Sequence, residues 1–265
     1  MTDNCKKESS GLALSSDFLR EIESYEVKKG VVLWSLGGAG FVLKTPQSLV
    51  YIDPFLAESD DPDFQRAIPV PIDPGKIKVA HAVLSTHCHI DHCDKETLTA
   101  MEKNTRSIFV GPVSSTQKMA EWGIKNAKTK IIKPYQKLKL RDINIVTLPG
   151  DDPGDKEAVN YLLQVDGITL FDNGDSHYFP GYLEIAKKWN IDIAIINFGK
   201  EIYMDANDIV KAATDLRTKI LIPMHWDLWK NYTEDPGKIE KIVRSRSLGM
   251  RIEVLRLGDR FEYAK

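Results

Sequence analysis

The chain has 265 residues, 42% apolar and 28% charged, with a formal net charge of −2. That is enough apolar chain for a sizeable core, and too even a charge balance to drive binding to nucleic acid or an anionic membrane. No run approaches the roughly 20 apolar residues of a membrane span.

Residues 1–28 read as a polar, partly helical lead-in, and 29–265 as one domain. The start lacks the basic end and apolar centre of an export signal. With three cysteines in all, a reducing cytoplasm is expected and a disulfide framework is not. "VVLWSL" (31–36), "GFVLKT" (40–45) and "SLVYIDP" (48–54) read as short strands punctuated by Gly37, Gly38, Gly40 and Pro46. In the segment 55–78, Pro62, Pro69, Pro71 and Pro74 make regular structure improbable. So long a connection suits a pocket wall or lid. "VAHAVLST" (79–86) is nearly continuous in apolar character, as for a strand buried on both faces. Residues 94–103 then read as a helix with Asp94 as N-cap, 107–111 as a strand, 114–123 as a helix closed by Gly123, and 129–134 as a strand. Residues 138–175 form a hairpin-rich β region. Helices are expected at 182–190, at 205–217 with Asp205 as N-cap, and at 235–247. Strands are expected at 191–198 and 219–226, with a last strand pair within 251–263. The order suggests two sheets inside and helices outside.

The strand at 79–86 delivers the chain into "STHCHIDHCD" (85–94), which holds three of the six histidines. At an extended strand end, residues i and i+2 point the same way, so His87 and His89 can grip one cation. After a turn, Asp91 and His92 face another direction, which favours two adjacent metals, the usual arrangement for hydrolytic displacement. Cys88 and Cys93 lack the second cysteine pair of a closed zinc site, since Cys5 lies in the lead-in; they read as packing residues. Two later stretches have the same form of buried strand followed by ligand: "LFDNGDSHYF", ending in Asp175 and His177, and "KILIPMHWDLW", ending in His225.

H-x-H-x-D-H after a buried strand, a G-D pair near the middle of the sequence and a late strand-end histidine resemble the metallo-β-lactamase fold superfamily. "AVNYLLQVDGITLFDNGDSHYFPGYLEIAKKWNIDIAIINFG", "ILIPMHWDLWKNYTEDPGKI" and "GPVSSTQKMAEWGIKNAKTKIIKP" are similar to its L-ascorbate-6-phosphate lactonase subfamily, in register from about residue 31 to 245. The resemblance implies an α/β fold arranged as a four-layer αββα sandwich with a dinuclear site at one end of the sheets. His87 and His89 would bind one metal and Asp91, His92 and His225 the other, with Asp175 between them and Asp53 behind a ligand histidine. Most members carry a third histidine for the first metal after the strand that here reads "INIVTLPGDD". This sequence has none between His92 and His177; Asp152 falls at that position, with Asp151 and Asp155 as rivals. The extra carboxylate favours Mn²⁺ over Zn²⁺.

The expected activity is hydrolysis by a metal-activated hydroxide, with Asp91 and Asp175 orienting the nucleophile and His177 touching substrate or protonating a leaving group. Trp226, Trp229 and Asn231 are candidates for the pocket. The substrate is expected to be a small molecule, a lactone or ester of a phosphorylated sugar acid. The alternative is a phosphodiesterase or nuclease, for which the seven basic residues from Lys125 to Arg141 speak; a lysine-protected edge strand explains the same run without nucleic acid. A redox di-iron protein or a non-catalytic metal-binding module ranks last, because redox members generally carry glutamate where this sequence has His89.

Overall fold

The computed structural model describes residues 16–265, so Cys5 lies outside the described residues. Helix α1 occupies residues 16–24. The first half continues with β1 (Val31–Gly37), β2 (Gly40–Lys44), β3 (Leu49–Ile52), β4 (Ala82–Leu84), α2 (Lys95–Asn104), β5 (Ile108–Gly111), α3 (Val113–Glu121) and β6 (Thr129–Ile131). The second half has β7 (Lys137–Leu140), β8 (Ile143–Pro149), β9 (Val159–Val165), β10 (Ile168–Asp172), α4 (Gly181–Lys188), β11 (Ile193–Asn197), α5 (Ala206–Asp215), β12 (Ile220–Met224), α6 (Gly237–Ser245), β13 (Arg251–Ile252) and β14 (Arg260–Tyr263).

The strands form two seven-stranded sheets, ordered β14-β1-β2-β3-β4-β5-β6 and β13-β12-β11-β10-β9-β8-β7. Alternation along each strand explains the layers. Leu33, Phe41, Leu43, Val50, Ile52 and Leu84 point inward and meet Ile143, Ile145, Leu163, Leu170, Ile195 and Ile222 of the other sheet. The intervening Val32, Trp34, Val42 and Tyr51 point outward, where Leu19 and Ile22 of α1 and Leu98 and Met101 of α2 cover them. On the far side Leu162, Phe171, Ala194 and Ile196 are covered by Tyr182, Ile209, Val210, Ile239 and Val243 of α4, α5 and α6. Because both faces of both sheets are covered, the strands carry the continuous apolar runs seen in the sequence. This is the αββα sandwich expected.

Asp94 caps α2 by accepting from Thr97 N, and Asp205 caps α5 by accepting from Asn207 N and Asp208 N. Two expectations need correction. The strand expected over 79–86 is regular only at Ala82–Leu84. Its flanks remain extended and bonded, His81 N to Leu49 O and Ser85 N to Val110 O. The strands near the C-terminus are not a pair: β13 lies parallel to β12 in one sheet and β14 antiparallel to β1 in the other. The segment between them crosses the sandwich, which short strands with a polar turn do not reveal. The basic run 125–141 spans β6 and β7, an edge strand of each sheet, as the lysine-protected reading expects.

Between Pro54 and Lys78 the backbone is irregular apart from an isolated antiparallel bridge from Arg66 to Trp229 and one 3-10 turn at Pro74–Lys76. Arg66 organises it from within: its guanidinium donates to Phe55 O, Ala57 O, Ile68 O and Pro69 O. Among the described residues, no helix is long and apolar enough to cross a membrane.

Candidate metal centre

β3 and β4 are parallel and in register, Ile52 opposite Leu84. β10, β11 and β12 are also parallel to one another. The residues that follow them therefore leave each sheet at the carboxyl ends of its strands: Asp53 after β3, Thr86-His87 after β4, Asp175 after β10 and His225 after β12. β8 is antiparallel to β9, which is antiparallel to β10, so Asp152 leaves β8 on the same rim as Asp175.

Thr86 and Asp53 form the base of the site. Asp53 Oδ1 accepts from Thr86 N at 2.8 Å, and Oδ2 accepts from Thr86 Oγ1 at 2.6 Å. Asp53 Oδ2 also lies 2.7 Å from His92 Nδ1. A proton on Nδ1 held there leaves the Nε2 lone pair of His92 free to face the site. Two non-glycine residues take left-handed backbone here, Asp53 at φ 42° and His225 at φ 70°. His225 is held in that turn by its N–H to Gly38 O at 3.0 Å, and by Tyr203, whose ring stacks on the imidazole at 4.5 Å. Such strain at a rim marks positions that the fold over-determines. Gly174 must be glycine: its φ is 49°, and a Cβ there would come within 2.7 Å of Thr86 Oγ1.

Two groups of side chains converge above this base. In one, His87, His89, Asp152 and Asp175 bring one candidate ligand atom each within 4.8 Å of the others; in the second, Asp91, His92 and His225 do the same. His87 Nε2 is 2.8 Å from His89 Nδ1 and 4.0 Å from Asp152 Oδ2. His92 Nε2 is 3.0 Å from His225 Nε2 and 3.7 Å from Asp91 Oδ2. Asp175 lies between the groups: Oδ2 is 3.8 Å from His87 Nε2 and 3.3 Å from His92 Nε2, and Oδ1 is 3.0 Å from His225 Nε2. His87, His92 and His225 are fully buried, whereas His89 is 43% exposed and opens to solvent.

The donor set fits divalent cations. Asp175 Oδ1 is buried without a hydrogen-bond partner even though His225 Nε2 is so near, and buried acceptors are rarely left in that state. Nitrogen and oxygen donors in this mixture suit Zn²⁺ and Mn²⁺. Burial and the neighbouring His92 hold His87 well below the ordinary imidazole range, so it stays neutral, as a ligand must be. Burial works against the charged form of Asp175, but His225 and His92 outweigh it and keep the carboxyl ionised.

Among the three rival aspartates the surroundings differ. Asp152 Oδ1 accepts from Gly154 N and Asp155 N, which leaves Oδ2 facing the histidines. Asp155 is engaged elsewhere, by Cys88 N, Ser114 Oγ and Glu157 N. Asp151 is exposed, and its own N–H donates to Ser176 Oγ. Neither cysteine belongs to either group: Cys88 is half-buried beside Asp155, and Cys93 packs under the outer face of the first sheet.

A cavity of about 580 Å³ opens over the site, lined by Phe64, Ile90, Pro153, Ile202 and Tyr203 together with Asp61, Asp91, Asp152, Asp175, His89, Gly154 and His177. His177 forms part of this wall with Nε2 3.1 Å from Ile202 O. The expectation that Trp226, Trp229 and Asn231 line the pocket is corrected. Trp229 is buried behind the site, where Nε1 donates to Asp91 Oδ2 at 3.2 Å and the ring packs on Phe55 and Phe64. Trp226 packs with the outer helices, and Asn231 Nδ2 donates to Asp63 O on the loop. The left-handed turn at His225 redirects the backbone, so closeness to His225 in sequence does not give access to the cavity. Asp61 and Phe64 line the cavity from the segment 55–78, as expected of a pocket wall, whereas Tyr203, Thr86, Pro153 and Ile202 had no such expectation attached. An isoleucine set between His89 and Asp91 was a further available signal.

The profile of the β-lactamase superfamily domain matches residues 32–225. The chain is 33% identical over 200 residues to the probable L-ascorbate-6-phosphate lactonase UlaG of Salmonella gallinarum, a match covering 66% of this chain and 56% of that protein. The match thus spans little more than half the relative's length. The fold is similar to that of Igni18, a metallo hydrolase from Ignicoccus hospitalis, with a TM-score of 0.70 at 21% identity over 88% of this chain and 99% of that one. It is also similar to CmlA, a diiron β-hydroxylase from Streptomyces venezuelae, with a TM-score of 0.69 at 15% identity over 90% of this chain and 55% of that one.

Proposed function

The chain belongs to the metallo-β-lactamase superfamily, and from that premise we propose that it is a dinuclear metal-dependent hydrolase of lactone or ester bonds in small molecules. The observation that carries the reading is the pair of converging groups under one cavity, with Asp175 of the first also 3.3 Å from His92 and 3.0 Å from His225 of the second. In this proposal His87, His89 and Asp152 hold one ion, Asp91, His92 and His225 the other, and Asp175 reaches both. The carboxylate at Asp152 favours Mn²⁺, with Zn²⁺ as the alternative. Bound divalent cations supply an activated water near neutral pH and polarise the carbonyl under attack.

The protein's own residues do the rest. Asp53 fixes the tautomer of His92 through Nδ1. Asp91 and Asp175 orient the attacking water by accepting hydrogen bonds from it, and Trp229 holds Asp91 in place from behind. His177 protonates the leaving oxygen in this proposal; its place in the cavity wall, with Nε2 3.1 Å from Ile202 O, supports that role. Residues 29–265 form the catalytic domain in this reading and 1–28 its lead-in. A reducing cytoplasm suits the free thiols of Cys88 and Cys93. The phosphodiesterase alternative draws no support from the basic run, because none of those lysines lines the cavity. The test is a screen of lactones, carboxylic esters and phosphodiesters with Mn²⁺ or Zn²⁺ supplied. Turnover of a lactone or ester is expected; turnover of phosphodiesters alone would replace the proposal with the nuclease reading.

A further inference from the structure

The cavity wall holds a second kind of information. Two of its residues, Ile90 and Ile202, are 51% and 42% exposed, although large apolar side chains are usually withdrawn from water. They face the same cavity as Phe64, Pro153 and Tyr203, so a band of apolar surface surrounds the candidate metal centre. No lysine or arginine is among the described residues that line it. The nearby Arg66 is buried and turned to four backbone carbonyls of its own loop, so its charge is not offered to the cavity.

The charge on the wall points the same way. Asp61, Asp91, Asp152 and Asp175 all line the cavity, and four carboxylates match the charge that two divalent ions would bring. Among the described lining residues no lysine or arginine then remains to hold a phosphate, which proteins bind with Arg, Lys or helix N-termini.

We propose that the substrate is an uncharged lactone or ester with an apolar substituent lying against Phe64, Ile90, Pro153, Ile202 and Tyr203, and not a phosphorylated sugar acid. This rests on the hydrolase reading above and narrows it. Water adds across the acyl C–O bond: its oxygen bonds to the carbonyl carbon, the ring or ester C–O bond breaks, and the leaving oxygen takes a proton.

The test compares γ-lactones with methyl to hexyl side chains against the lactone of a 6-phosphorylated sugar acid, using metal-loaded protein. In parallel, calorimetry follows binding of the hexyl-substituted γ-lactam, which resists hydrolysis. Each added methylene should raise kcat/KM about threefold until the cavity is filled. Ile202→Lys should weaken lactam binding about tenfold with metal content unchanged. Faster turnover of the phosphorylated lactone, or no gain as the substituent lengthens, would overturn the proposal while leaving the hydrolase reading intact. Binding of the lactam that Ile202→Lys weakens, without turnover of any lactone or ester, would uphold the apolar site and remove the hydrolase reading. Failure of the lactam to bind the wild-type protein would overturn the apolar site.

Discussion

At the amino end of β11, Asp192 is buried and fully matched: Lys219 Nζ lies 2.9 Å from one oxygen, Lys265 Nζ 2.7 Å from the other, and Thr169 N donates at 2.8 Å. At the carboxyl end of the same sheet Asp175 is half-buried and faces imidazole nitrogens, and its buried Oδ1 keeps no hydrogen bond. Lysine brings its own positive charge and completes a structural ion pair. The imidazole nitrogens of His87, His92 and His225 all converge on Asp175, and a donor set of histidines and carboxylates with no lysine or arginine among them fits a cation from outside. One end of the sandwich is closed by its own residues; the other is built to take an ion.

The largest effect in this contrast belongs to Asp175, which touches both groups. Asp175→Ala should lower turnover by about a thousandfold or more and empty both ion sites, as read by kinetics and elemental analysis; normal metal content would break the contrast. Asp53 comes next, because it acts only through His92. Asp53→Asn should reduce metal affinity by about 10- to 100-fold in a competition titration with a chelator, while the thermal transition of the fold persists. Trp229→Phe keeps the packing on Phe55 and Phe64 but removes the N–H to Asp91. About a fivefold fall in kcat is expected with metal content retained; loss of metal instead would mean that the indole supports the fold of the site.

Asp192→Ala should leave turnover within about twofold and cost about 1–2 kcal/mol of stability at pH 7, the value of partly exposed lysine pairs and one backbone bond. Burial opposes its charge, but Lys265, Thr169 N and Lys219 hold the Asp192 carboxyl below its ordinary range. Its contribution is therefore present at neutral pH and lost as pH falls through the lowered folded value. Wild type and variant should converge in denaturant midpoint below about pH 4; a gap that widens in acid would contradict the assignment.

Much of this was legible in the sequence because short-range rules carry it. Continuous apolar runs such as Leu221-Ile222 and Ala194-Ile195-Ile196 announce strands covered on both faces, and Asp94 and Asp205 announce helix starts. His87, His89, Asp91 and His92 lie so close together that their chemistry is visible without a fold. Asp175 and His225 were legible only as strand-end residues of the same form. The rest depends on contacts between distant segments. Trp229 follows His225 by four residues yet stands behind the site, because a left-handed turn intervenes. Arg66 reads as a surface charge until its four carbonyl partners are seen. Asp172 ends β10, where burial and nearby Asp53 push its carboxyl up to about 8, which its place in the sequence does not announce. Phe64, Ile90, Ile202 and Tyr203 come from three separate segments, and no local pattern assembles a wall.

The central claim is that this rim holds a pair of catalytic cations. Its most direct test strips the wild-type protein with a chelator, adds back Mn²⁺ or Zn²⁺ in measured amounts, and follows ester or lactone turnover against bound metal. Activity should vanish on stripping and return to a maximum at about two ions per protein molecule. Full turnover by the metal-free protein would contradict the account.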